Sequence, residues 1–129
     1  MDFLLTEDIL KLLIAAGLGS LIGIEREYHS KSAGLRTMIL ISVGSTLFTI
    51  ISAKLGGDAG RIAANIVTGI GFIGGGIIFR ENNRVVGITT AATVWATAAL
   101  GMCVGIGYYE IASVSSGIVL VVLYAFVTI

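Results

Sequence analysis

Thr37-Met38-Ile39-Leu40-Ile41-Ser42-Val43-Gly44-Ser45-Thr46-Leu47-Phe48-Thr49-Ile50-Ile51-Ser52-Ala53-Lys54-Leu55 is an apolar run whose one charge, Lys54, stands next to its end. A bilayer core about 30 Å thick is crossed by about 20 mostly apolar residues of helix, so this stretch reads as a membrane span. Working outward, four more stretches share its character: about Ile9 to Tyr28, about Arg61 to Phe79, Gly87 to about Tyr108, and Ile111 to Ile129. Thr6 reads as the N-cap of the first, with Glu7 and Asp8 in its first turn, where carboxylates suit the positive end of the helix dipole. The connection from Glu25 to Arg36 is too charged to cross lipid. The turn Gly56-Gly57-Asp58-Ala59-Gly60 and a polar loop holding Arg80, Glu81, Asn82, Asn83 and Arg84 bound the third stretch. The pattern predicts an all-α, polytopic membrane protein: a single transmembrane domain built as a bundle of about five helices with glycine-mediated packing.

Composition narrows the function classes. Apolar residues make up 56 % of the 129 residues and charged residues 12 %, against roughly 25 % charged in soluble domains. Eight Lys and Arg offset eight Asp and Glu, so no long-range field draws the chain to nucleic acid. The single Cys103 and single His29 are too few for a disulfide framework or a structural zinc site. With no proline and 18 glycines, bends must come from Gly. The N-terminus carries Asp2, Glu7 and Asp8 instead of the Lys and Arg of a signal peptide. The chain is still apolar at Ile129, which suggests truncation or a missing soluble C-terminal domain. If the N-terminus is outside, the inner connections hold Arg26, Lys31, Arg36, Arg80 and Arg84 and the outer side Lys11, Lys54 and Arg61; that bias predicts N-out and C-in.

Helices associate in lipid through close approach of small residues. Gly19 and Gly23, Gly71 and Gly75, Gly101 and Gly105, and Ser113 and Gly117 are small-xxx-small pairs suited to it, and Asn65, Thr68, Thr89, Thr90 and Thr93 could hydrogen-bond across helices. Gly69-Ile70-Gly71-Phe72-Ile73-Gly74 matches a dinucleotide-binding pattern but lies inside an apolar helix, outside the strand-turn-helix context that gives it meaning. The glycines Gly69, Gly71 and Gly74 to Gly76 could instead break the third helix and free carbonyls toward a cavity.

Glu25, Arg26, Glu27, Arg36, Arg80, Glu81 and Arg84 gather at one end of the bundle as a candidate polar cluster. Such a cluster could bind an anion or lipid phosphate through Arg forks or guide a cation past its carboxylates. Equally, Glu25 or Glu27 could pair with an Arg across the bundle while Arg stems snorkel to the interface. Glu25 is the best candidate metal ligand. Arg36, a cation at the start of the second helix, needs a compensating partner, expected from Glu25 or Glu27. Asp58 and Arg61 flank the outer end of the third helix, with Asp58 as its cap. His29 reads as solvated, and Lys11 as snorkelling outward. Trp95, near the middle of the fourth helix, is expected to pack on another helix or line a cavity. No catalytic constellation stands at a plausible spacing, so an enzyme is not expected.

Five blocks in order, Leu21-Ile22-Gly23-Ile24-Glu25-Arg26-Glu27, Ala33-Gly34-Leu35-Arg36-Thr37, Arg61-Ile62-Ala63-Ala64, Gly69 to Gly74, and Gly87-Ile88-Thr89-Thr90-Ala91-Ala92-Thr93-Val94-Trp95, resemble the MgtC/SapB family of bacterial membrane proteins over about Leu12 to Tyr108. The resemblance implies a protein of the bacterial cytoplasmic (inner) membrane, often continued by a cytoplasmic C-terminal domain. It also implies a link to growth under magnesium limitation and to survival of pathogens in host cells. Some family members act by binding other membrane proteins such as the ATP synthase. The positions it carries over are Glu25, Arg26, Arg36, Thr37, Arg61, Arg80, Thr89, Thr90 and Trp95, with the glycines of the third helix. Asn65 stands where Gln is expected, Gly75 where Ala is usual, and no Pro follows Asp58.

Two functions follow as expectations. In one, the protein is an interaction partner of membrane complexes such as the ATP synthase or a cation transporter, and a homodimer itself. In the other it is a transporter or channel for magnesium or another cation. No cofactor is expected, with Mg2+ at most a ligand or substrate. Arg outnumbers acid in the inner cluster, which disfavours cation entry and tips the reading toward interaction.

Overall fold

A computed structural model of the chain describes residues 2–56 and 58–126. Its helices are α1 (Asp2–Tyr28), α2 (Leu35–Leu55), α3 (Ala59–Ile77), α4 (Ile88–Gly105) and α5 (Tyr109–Ala125), with a hairpin of β1 (Phe79–Glu81) and β2 (Arg84–Val86) between α3 and α4. Each apolar run holds one helix. Three segments, Leu35–Leu55, Gly60–Ile77 and Ile88–Gly105, are long and apolar enough to cross a membrane. The apolar α5 is shorter, at 17 residues, and α1 carries Lys11, Glu25 and Arg26 along its length.

The element ends correct three expectations. Because α1 begins at Asp2, Thr6 lies within the helix instead of capping it. The third helix stops at Ile77, short of Phe79, because the residues beyond it pair with each other: Phe79 with Val86, Arg80 with Val85 and Glu81 with Arg84. Asn82 and Asn83 turn the hairpin with φ of +50° and +66°, the positive values that a two-residue turn demands and that Asn tolerates. α3 also runs unbroken from Ala59 to Ile77, so no helix break at Gly69, Gly71 or Gly74 to Gly76 opens a cavity. Gly57 and residues 127–129, the end of the fifth apolar run, lie outside the described residues.

Close approach of backbones sets the register of the bundle. A Cβ on Gly19 would stand 2.8 Å from the Met38 carbonyl oxygen and one on Gly23 2.7 Å from the Leu35 Cα, so α1 and α2 cross in near contact and run antiparallel. Gly101 lies against the Ser42 carbonyl oxygen, and a Cβ on Gly105 would meet Thr49 Cβ at 2.6 Å. Rising numbers on α2 therefore meet rising numbers on α4, and these two helices run parallel. Hydroxyls bind the same crossings. Ser42 Oγ donates to the Ala15 carbonyl at 2.8 Å, and Thr46 Oγ1 lies 2.7 Å from the Gly101 carbonyl and 2.9 Å from that of Ser42, sharing one proton between them. Ile22, Met38, Ile41, Val94, Ala98 and Leu123 form the core between these helices.

α3 stands apart from this centre. Among its described residues only Ile66 and Gly74 are buried, whereas α4 buries ten, from Thr90 to Gly105. Gly74 meets Ala91 at ordinary contact distance, but a Cβ on Gly69, Gly71, Gly75 or Gly76 would meet nothing within 4 Å. The expected packing role of Gly69, Gly71 and Gly75 is thus not realised within one chain, nor is that of Gly117, since both faces point away from the bundle. Between α2 and α3 runs an apolar groove of about 610 Å³, walled by Leu40, Phe48, Ile66 and Ile70 with Asn65 on its rim. Trp95 is 57 % exposed on the outside of α4, which corrects the expectation of a helix-packing or cavity-lining Trp: the inward face of α4 is taken by Ala91, Val94 and Ala98.

Candidate functional site

The last turns of α1 carry the buried charge. Arg26 is 2 % exposed, the largest fully buried side chain among the described residues, and Glu25 is 9 % exposed. Arg26 Nε donates to Glu25 Oε1 at 2.6 Å. His29, one turn on, holds Nδ1 2.9 Å from both the Glu25 backbone oxygen and Glu25 Oε2. Only the contact to the backbone oxygen is a hydrogen bond, and among the described residues Glu25 Oε2 and Arg26 Nη1 are buried without a hydrogen-bond partner. Burial of a charge is sustained by a close opposite charge, and here the two are chain neighbours. This corrects both the expected pairing of Glu25 with an Arg across the bundle and the solvated reading of His29, which is half-buried.

Glu27 does different work. Its side chain leaves α1 to accept a hydrogen bond from the Leu35 backbone N–H at 3.0 Å, at the start of α2. Gly34, the N-cap, has no side chain to offer, and the space beside its Cα is filled by Glu27 Oε1. A carboxylate of one helix thereby meets the free N–H groups and positive dipole end of the next. Arg36 is consequently not the partner of Glu25 or Glu27, which corrects the expected pairing; it is exposed and, among the described residues, in no ion pair.

The remaining cluster residues are not brought together. Arg80, Glu81 and Arg84 stand exposed on the hairpin, and among the described residues no ion pair involves them. Thr37 is half-buried, Thr89 exposed and Thr90 buried. Thr68 and Thr93 donate to carbonyls of their own helices, Ala64 and Thr89, so they do not bridge helices. That work falls to Ser42 and Thr46, which carry no motif; their only signal is a hydroxyl every fourth residue within an apolar helix. At the opposite end Asp58 Oδ1 accepts from the Arg61 N–H at 3.2 Å and caps α3, Lys54 pairs with Asp8 at 2.9 Å, and Asn65 is exposed at the groove between α2 and α3.

The donor set at Glu25 does not fit a magnesium ligand. Mg2+ takes oxygen ligands in near-ideal octahedral geometry, whereas one Glu25 oxygen is already held by a guanidinium. Among the described residues no group of three His, Cys, Asp or Glu is placed to hold a metal ion.

A helical bundle with apolar spans, charge concentrated toward the helix ends and glycine-mediated crossings defines a polytopic membrane protein. The sequence profile of the MgtC family matches residues 12–129, and the chain belongs to that family. It is 46 % identical over 130 aligned positions to the protein named "Putative magnesium transporter YhiD" of Escherichia coli K12, covering 93 % of this chain and 60 % of that one. Protein MgtC of Salmonella typhimurium LT2 is 46 % identical over 113 positions, covering 87 % of this chain and 49 % of its own. Uncharacterized protein slr0014 of Synechocystis is 45 % identical over 117 positions, covering 89 % and 50 %. The chain thus spans about half to three-fifths of the length of these relatives. No solved structure matches it significantly.

Proposed function

We propose that this chain is a membrane protein of magnesium homeostasis that acts by contact with another membrane protein, with α3 as the contact helix. The carrying observation is the outward face of α3: Gly71 and Gly75 meet nothing, and Phe72 between them is 81 % exposed. In lipid, small residues serve helix association because they let backbones approach, and this stripe lies on a helix that buries only Ile66 and Gly74 among its described residues. The magnesium link rests on family membership and on the name of the Escherichia coli relative. The partner is another membrane complex, such as the ATP synthase or a cation transporter, or a second copy of the chain. The orientation is N-out and C-in, in the bacterial inner membrane.

A second reading, passage of magnesium or another cation, is favoured by that relative's name and by Glu25 Oε2, buried without a hydrogen bond. Arg26 at 2.6 Å from the same carboxylate opposes it, since a fixed positive charge repels an entering cation. Two measurements separate the readings. A photo-crosslinking residue at Phe72 should capture a membrane protein in cells, and sealed liposomes holding the folded chain and a magnesium indicator should show no more flux than empty ones. Saturable flux that disappears in Glu25→Gln would overturn the interaction reading in favour of transport.

A further inference from the structure

We infer that the end of the bundle formed by the α1–α2 loop and the hairpin is a docking surface for anionic phospholipid headgroups, with Arg80 and Arg84 as its principal contacts. Antiparallel α1 and α2, and α4 parallel to α2, place the end of α1, the start of α2, the hairpin and the start of α4 at one end of the molecule. That end holds five cations, Arg26, Lys31, Arg36, Arg80 and Arg84, against three acids, Glu25, Glu27 and Glu81. The opposite end reverses the balance, with three cations against Asp2, Glu7, Asp8, Asp58 and Glu110.

The excess is free to act. Glu25 is engaged by Arg26, and Glu27 by the Leu35 N–H. Lys31, Arg36, Arg80 and Arg84 are exposed, and among the described residues none of them is in an ion pair. Only Glu81 remains to offset them, directly across the hairpin from Arg84. The two guanidinium groups on the hairpin present the fork geometry that matches phosphate oxygens.

Apolar exposure fixes the kind of partner. The hairpin packs almost nothing against the bundle, yet it carries Phe79, 50 % exposed, and Val85, 56 % exposed, and Ile88 just beyond it is equally open. Tyr28, at the end of α1, is 81 % exposed. Basic side chains mixed with exposed apolar and aromatic ones, where the spans end, are the chemistry of the headgroup layer, in which arginines meet phosphates while apolar groups enter the acyl boundary. An acidic soluble protein would use the charge but leave Phe79, Val85 and Ile88 in water.

The test uses the whole chain in mild detergent micelles doped with phosphatidylglycerol or phosphatidylcholine, with retained lipid counted by native mass spectrometry. The wild-type chain should retain phosphatidylglycerol over phosphatidylcholine roughly tenfold, in line with the attraction of a few surface cations to anionic lipid. That preference should fall severalfold in R80Q/R84Q, fall only partly in R80K/R84K, which keep the charge without the fork, and be unaffected by R61Q at the opposite end. Equal retention of the two lipids by the wild-type chain overturns the proposal whether or not the variants fold. So does a preference that survives in folded R80Q/R84Q, or one abolished by millimolar inorganic phosphate, which would mark a free-anion site. Retention of neither lipid alongside capture of an acidic protein through the hairpin would assign the surface to that other class of partner.

Discussion

Arg26 is costly to bury, since a guanidinium 2 % exposed has, among the described residues, one ion-pair partner, the neighbouring Glu25 at 2.6 Å. Removing one partner of a buried pair leaves the other charge uncompensated and costs about 3–5 kcal/mol, whereas replacing both by apolar groups of similar volume is often neutral. Glu25→Gln should therefore lower the stability of the purified protein by about 3 kcal/mol, while Glu25→Leu with Arg26→Met recovers most of the loss. A denaturant-unfolding cycle in detergent decides it: additive single and double effects would show that the pair is not a unit. The pairing was only half visible in the sequence. Glu25 and Arg26 stand out as charges at the end of an apolar helix, but nothing in a linear string says that neighbours on a helix, normally pointing about 100° apart, turn toward each other when both are buried. Glu27 was hidden for a related reason, because capping of α2 from α1 depends on how the six residues between them fold back.

At the scale of elements, apolar length alone located all five helices, since a span must satisfy every backbone group internally and so must be helical. Which glycines pack was not legible. Gly23, Gly71 and Gly101 all sit in small-xxx-small pairs, and the difference between them is tertiary: Gly23 and Gly101 abut α2 backbone, while Gly71 faces outward. Overpacking costs about 1–3 kcal/mol, so Gly101→Ala, set against the Ser42 carbonyl, should destabilise by about 2 kcal/mol. Gly71→Ala should be neutral or slightly stabilising, because alanine is the better helix former by about 1 kcal/mol. Thermal unfolding of the two variants side by side reads this difference, and equal losses would mean that α3 is packed in the isolated chain after all. The hairpin did leave a signal. Asn82-Asn83 is a pair that accepts positive φ, flanked by Phe79 on one side and Val85-Val86 on the other, but a loop of this length between two spans is more simply read as irregular.

For the whole molecule, charge asymmetry is what relates the bundle to its membrane. Lys and Arg in short connections are retained on the cytoplasmic side, and the structure groups Lys31, Arg36, Arg80 and Arg84 at one end while Lys54 at the other is paired with Asp8. The expected arrangement has the hairpin and the α1–α2 loop in the cytoplasm and the α4–α5 turn outside. Ser32 and Glu110 are both exposed, one in each region, and neither belongs to the basic group or to an ion pair. In a Cys103→Ala background, Glu110→Cys should react with a membrane-impermeant thiol reagent on intact spheroplasts, and Ser32→Cys only after the membrane is opened. The reverse pattern would turn the molecule over and set its basic hairpin against the outer leaflet. Because the proposed anionic-lipid surface and the proposed contact face of α3 lie on one bundle, the same labelling experiment also fixes which leaflet the Gly71 and Gly75 stretch of α3 faces.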